Sequence, residues 1–128
     1  MLGKTYRWQT YNGTGVTLTV TSSEELWKYA TDGSITFGAA VDRISAASVG
    51  TLAYSSSASI DNATVKNQGA HGLLQATSAA SATGECALFL QRSDDGGTTW
   101  PSDGAGEKVA SIWFNAFTGT LNDGYEVA

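Results

Sequence analysis

Residues able to do chemistry are few and scattered in this chain. His71 is the sole histidine and Cys86 the sole cysteine, so neither a histidine-based metal cluster nor an intrachain disulfide can form. Cys86 lies inside the apolar run Cys86-Ala87-Leu88-Phe89-Leu90 and reads as a small buried thiol. His71, between Ala70 and Gly72, reads as a strand-edge or turn residue rather than a general base. No Gly-x-Ser-x-Gly elbow precedes a helical stretch. The acidic residues cluster in turns, where water keeps carboxylates ordinary, and this argues against a glycosidase pair. Asp94, Asp95, Asp103 and Glu107 concentrate oxygen ligands in one Gly-rich loop, as a Ca²⁺ site would. Their spacing is not that of an EF-hand, and a solvated acidic loop is the favoured reading. The chain therefore reads as a non-enzyme with no catalytic residue and no cofactor. Trp8, Trp27, Trp100 and Trp113 remain. Such rings anchor cores and interfaces or stack on sugars, and Trp100 is the candidate for glycan contact.

The elements that must position these residues are mainly strands. Val16-Thr17-Leu18-Thr19-Val20-Thr21 alternates apolar residues with threonines, the pattern of a half-buried strand. Lys4 to Tyr11 alternates similarly, and Asn12-Gly13-Thr14-Gly15 has the turn chemistry of a hairpin joining the two. Further strands are expected at Ser34–Phe37, Val49–Ile60, Gly72–Ser78, Glu85–Arg92 and Lys108–Phe114, separated by Gly, Asp and Asn turns. A helical reading applies only to Ser23–Tyr29, capped by Ser23, and to Ala39–Ala47. The expected fold is all-β, an antiparallel β-sandwich or jelly roll with at most one or two short helices, in a single domain over residues 1–128.

Composition narrows the partners. Twelve acidic and seven basic residues give a net charge of −5, with no basic stripe to neutralise phosphates, so nucleic acid is excluded as a partner. No apolar run approaches the ~18 residues of a membrane helix and Met1–Arg7 lacks the apolar core of a signal peptide, so an aqueous setting without a membrane is expected. Two strands, however, are apolar on both faces: Cys86, Leu88 and Leu90 alternate with Ala87 and Phe89, and Val109 and Trp113 with Ala110, Ile112 and Phe114. A second apolar face needs cover from a loop, a terminus or another chain. Phe89, Ala110, Ile112 and Phe114 are accordingly the interface candidates of a homo-oligomer, with cover from within the chain as the alternative.

The segment Ser93-Asp94-Asp95-Gly96-Gly97-Thr98-Thr99-Trp100 resembles the Asp-box turn of sialidases and other propeller proteins. The carboxylate can accept backbone N–H groups across the turn, while Gly supplies positive φ. A propeller needs at least ~4 blades of ~40 residues or more, more than this chain holds, so the motif is a turn and not a catalytic signature. In its wider frame, Glu85 to Pro101 followed by the strand Val109–Phe114 resembles small virion proteins of tailed bacteriophages, over Gly69 to Phe114. That resemblance implies an oligomeric capsid decoration (cement) protein, or a module attached to head or tail, located in the virion and assembled in the host cytoplasm. Its implied partners are copies of itself and capsid or tail subunits. The alternative is a carbohydrate-binding or host-adhesion module contacting surface glycans. Such proteins continue with a further strand after the position of Phe114, and the N-terminus or a swapped strand is expected to close the sheet here.

Overall fold

The computed structural model describes residues 1–128. It contains β1 (Thr5–Asn12), β2 (Leu18–Tyr29), β3 (Ile35–Phe37), β4 (Val41–Val49), β5 (Ala53–Ser56), β6 (Ile60–Asp61), β7 (Gly69–Arg92) and β8 (Glu107–Val127), with no helix. All pairings are antiparallel and belong to one sheet. The all-β expectation holds.

β7 organises the sheet. Its first half pairs with β2, Leu18 opposite Ser78 through Trp27 opposite Gly69. Its second half pairs with β1, Tyr6 opposite Arg92 through Asn12 opposite Cys86. β8 runs along the other edge of both halves, from Leu90–Glu107 to Ala70–Val127. Trp8 stands opposite Leu90 and Tyr125 opposite Gly72. On a flat strand those positions would lie about 60 Å apart, yet the Trp8 and Tyr125 rings are 4.9 Å apart, centroid to centroid. The sheet therefore folds over on itself, and the two halves of one sheet become the two layers of a sandwich.

The fold line falls where the side chains are small. Ser78-Ala79-Ala80-Ser81-Ala82-Thr83-Gly84 carries register shifts against β8. Gly84 has φ of 127°, a conformation that a residue with a Cβ resists. Opposite it, Ala116 and Gly119 also take positive φ. Ala82-Thr83-Gly84, expected as a turn between strands, is thus a bend within one. The layer built on β2, β3, β4 and the first half of β7 is called A, and that on β1, β5, β6 and the second half is B.

Alternation sends one set of side chains between the layers. Tyr6, Trp8, Leu18, Val20, Leu74, Ala76, Leu88, Leu90, Ile112, Phe114, Tyr125 and Val127 are buried there, an apolar core that supplies the main driving force for folding.

Several expectations are corrected. Ser23–Tyr29 belongs to β2 and Ala39–Ala47 largely to β4; pairing with β7 and with β2 overrides the local helical pattern. β1 and β2 do not pair as a hairpin. Asn12–Gly15 instead carries the chain from layer B to layer A, tied by Asn12 Nδ2 to the Val16 and Val49 carbonyls at 2.8 and 2.9 Å. The sheet needs no separate closing strand after Phe114, because β8 continues across the fold line to Val127.

Candidate assembly surface

Three regions decide what the sandwich can present: the Ser93–Gly106 loop, a polar cluster in the core, and the hairpin formed by the end of β2 with β3.

The loop begins with a closed turn. Ser93 Oγ accepts the Gly97 N–H at 2.9 Å and donates to Asp95 Oδ1 at 2.8 Å. Asp95 also accepts the Thr98 and Thr99 amides at 3.1 and 2.9 Å and the Thr99 hydroxyl at 2.6 Å. These donors, the Thr99 hydroxyl foremost, lower the Asp95 pKa to about 2. Beyond the turn the chain folds back over layer B. Gln91 and Gln9 are both buried and hold it there. Gln91 Nε2 lies 3.1 and 2.8 Å from the Ser102 and Ala105 carbonyls, and Gln91 Oε1 accepts Arg7 Nε at 2.9 Å. Gln9 Oε1 accepts the Gly104 N–H and Gln9 Nε2 donates to Asp103 Oδ1, both at 2.9 Å. The chain's own loop thus covers the outer face of layer B around Gln9 and Gln91 and leaves Trp113 exposed.

This placement overturns most of the sequence-derived site. Ala110, Ile112 and Phe114 point into the core and are buried, so they cannot form an interface; only Phe89, half-buried, lies on the outer face. Alternation alone does not say which of two apolar faces points inward, and here the Ala110 face does. The Ca²⁺ candidates do not converge. Asp95 is consumed by its own turn, Asp103 by Gln9, and Glu107 by Arg92 at 3.0 Å, while Asp94 is exposed. No group of three or more potential ligands is gathered anywhere. Trp100 is half-buried with the Arg7 guanidinium 4.6 Å from its ring centroid, so a cation already occupies one aromatic face. The exposed tryptophan is Trp113, at 68 %.

Glu24 is the site residue that the sequence concealed. It is buried between the layers, where it accepts the Tyr6 hydroxyl at 3.1 Å, the Trp8 indole N–H at 2.9 Å and the Arg43 guanidinium. A helical Ser23–Tyr29 would place Glu24 in an exposed first turn; strand alternation turns it inward with Leu18, Val20 and Ser22. Burial, followed by the Glu24 charge, raises the pKa values of Tyr6 and Tyr125 above the ordinary tyrosine range. Burial likewise pushes the Cys86 thiol up to about 11, so it is an inert core residue as expected. Every hydrogen-bonding contact of Glu24 is internal to the fold, which makes the cluster a tie between layers A and B.

The hairpin at Trp27–Phe37 is different. Trp27 stands opposite Phe37, Lys28 opposite Thr36 and Tyr29 opposite Ile35. Directly opposed residues share a face, so Trp27, Tyr29, Ile35 and Phe37 make one face wholly apolar and leave Lys28 and Thr36 on the other. The tip is closed by Asp32, whose Oδ1 accepts the Ser34 N–H and hydroxyl at 3.0 and 2.6 Å. The root is fixed at Gly69, where a Cβ would lie 2.7 Å from the Trp27 ring. The apolar face lies on the outside of layer A, where Phe37 meets His71 at 5.7 Å; Glu25 and the His71 imidazole, 3.6 Å apart, separate it from the exposed Leu73. Tyr29, Ile35 and Phe37 are each half exposed or more, at 58, 50 and 54 %.

No protein-family model matches this chain, and neither a curated protein nor a solved structure matches it.

Proposed function

We propose that this chain is a structural subunit of a tailed-bacteriophage particle, a capsid decoration protein or a module attached to head or tail, that works by protein–protein contact. The observation carrying this reading is the apolar hairpin face of Trp27, Tyr29, Ile35 and Phe37 on the outside of layer A. A soluble monomer gains nothing by holding a projecting hairpin with one wholly apolar face, whereas a subunit that docks on a shell buries it. The resemblance of Gly69–Phe114 to small virion proteins supplies the setting. A subunit that binds only the assembled shell stabilises it by mass action, and repeated copies add avidity to individually modest contacts. The test is co-expression with candidate shell or tail subunits of a tailed phage, followed by gradient purification of the particles. The chain should sediment with them at fixed stoichiometry and be lost on Phe37→Asp. Particles that never carry it would refute the proposal.

A glycan-binding role is favoured by one observation, the exposure of Trp113 on the outside of layer B. A glycan array comparing wild type with Trp113→Ala tests it. No sugar-dependent signal lost in the variant would retire it.

A further inference from the structure

We infer that β3 is a self-pairing edge, through which two copies of this chain join across a two-fold axis at Thr36. The inference rests on the assembly reading above and names the first partner of that surface.

The phase of the hairpin fixes what β3 shows to the outside. The Gly38 N–H bonds the Leu26 carbonyl and the Ala30 N–H bonds the Ser34 carbonyl, both at 2.8 Å. Hydrogen-bonded and non-hydrogen-bonded pairs alternate along an antiparallel ladder. Lys28–Thr36 is therefore a bonded pair, while Trp27–Phe37 and Tyr29–Ile35 are non-bonded. The Trp27 carbonyl agrees, since it points the other way to accept the Gln68 N–H at 2.9 Å. It follows that the N–H and C=O of both Ile35 and Phe37 point away from β2. β3 pairs with no other strand, so these four groups form an open edge.

A second β3, antiparallel and centred on Thr36, satisfies that edge without remainder. Ile35 of each copy meets Phe37 of the other, and each such pair exchanges two hydrogen bonds. All four outward groups of each chain are used. The same register sets Ser34 against Gly38, Gly33 against Ala39 and Asp32 against Ala40, so no charge faces a like charge although each copy carries −5. The result is a ribbon β2–β3–β3′–β2′ in which the two apolar faces merge.

Among the sheet's other open edges, the longest, that of β8, is guarded. Asp123 Oδ2 accepts the Ser111 N–H at 2.9 Å. Charged Glu107, Lys108, Asp123 and Glu126 are spread along it, the usual protection of an edge strand. Ile35-Thr36-Phe37 has no charge, proline or bulge. Area sets the strength of the contact. A three-residue edge buries little side-chain area, and Tyr29 lies on β2, a strand away from the partner, so the contact falls well short of the about 800 Å² per partner of a standard interface. The free pair is therefore weak and concentration-dependent, and it becomes firm where copies are held together on a particle.

Thr36 faces Thr36′ with Cβ atoms about 5 Å apart, within reach of a disulfide after small adjustment. Lys28 and Lys28′ stand three strand spacings, about 14 Å, apart. In a Cys86→Ser background, Thr36→Cys should oxidise in air to a disulfide dimer as its major species at about 0.1 mM, while Lys28→Cys stays monomeric. Ile35→Pro removes an outward N–H that bonds nothing within the chain. It should abolish sedimentation-detected self-association while leaving thermal unfolding unchanged. The inference is overturned if Thr36→Cys does not cross-link, if Lys28→Cys links equally well, or if Ile35→Pro still associates. Should Thr36→Cys fail while wild type still enters particles, the self-pairing edge falls and the assembly reading stands. Loss of particle binding in wild type strikes the assembly reading instead.

Discussion

Removing the Glu24 carboxylate should unlatch the two layers. Glu24→Ala takes the acceptor from the Tyr6 hydroxyl and the Trp8 indole N–H, on residues with no exposed surface. Each orphaned buried donor costs about 1–3 kcal/mol. Arg43, whose side chain is 26 % exposed, recovers part of its lost partner from water and adds less. The total falls at about 3–5 kcal/mol, the range for breaking one side of a buried ion pair. With a urea dependence of about 2 kcal/mol per molar, the unfolding midpoint drops by about 2 M, followed by tryptophan fluorescence. Arg43→Met keeps Glu24 bonded to Tyr6 and Trp8 but strips the buried carboxylate of its counter-ion, so it should also cost about 3–5 kcal/mol. A Glu24→Ala or Arg43→Met cost below about 1 kcal/mol would refute the claim that this carboxylate ties layer A to layer B.

Other outcomes follow from the same geometry. Gln91→Leu should release the Ser93–Gly106 loop, read as rapid proteolysis within the loop while β7 and β8 stay intact; resistance equal to wild type would contradict it. Phe114→Ala should cost about 3–5 kcal/mol of stability as a core truncation, and a neutral result in denaturant titration would mean that Phe114 faces outward after all. Tyr6, Tyr125 and Cys86 all have folded pKa values raised by burial. Their contribution is complete below the unfolded values and is lost as pH rises through about 9 for the thiol and about 10 for the phenols, because the unfolded chain ionises first. The urea midpoint should therefore fall between pH 8 and pH 11, and a constant midpoint would count against burial of these groups.

The strand content of this fold was legible where alternation was strict, as at Val16–Thr21, and the Ser93–Trp100 turn was legible from its Ser, Asp and Gly. Three features escaped for physical reasons. Ser23–Tyr29 has a helix cap and helix-forming residues, and only the neighbouring strands make it extended. Gln9 and Gln91 look like solvent-facing positions of alternating strands, and nothing local shows that a loop from residues 97–106 will bury them. The apolar strands around Phe89 and Phe114 signalled a second face in need of cover; the loop supplies it beside Gln91, whereas Trp113 on the same face stays exposed, and that division is decided by loop geometry. The exposed apolar face at Trp27–Phe37 forms only because β2 extends to Tyr29 and pairs with β3.

Because β7 and β8 each run through both layers, the sandwich has no seam along which it could come apart in stages. Layer A cannot melt without releasing the partner of layer B, since the same two strands form the spine of each. Amide exchange along Leu74–Ser78 and Cys86–Leu90 should then report one common opening free energy rather than two, and a ligand or neighbour that grips the hairpin at one end of layer A would slow exchange at the far end of layer B. A small subunit built this way transmits the grip of its neighbours to its whole body, and it loosens as a whole when they let go.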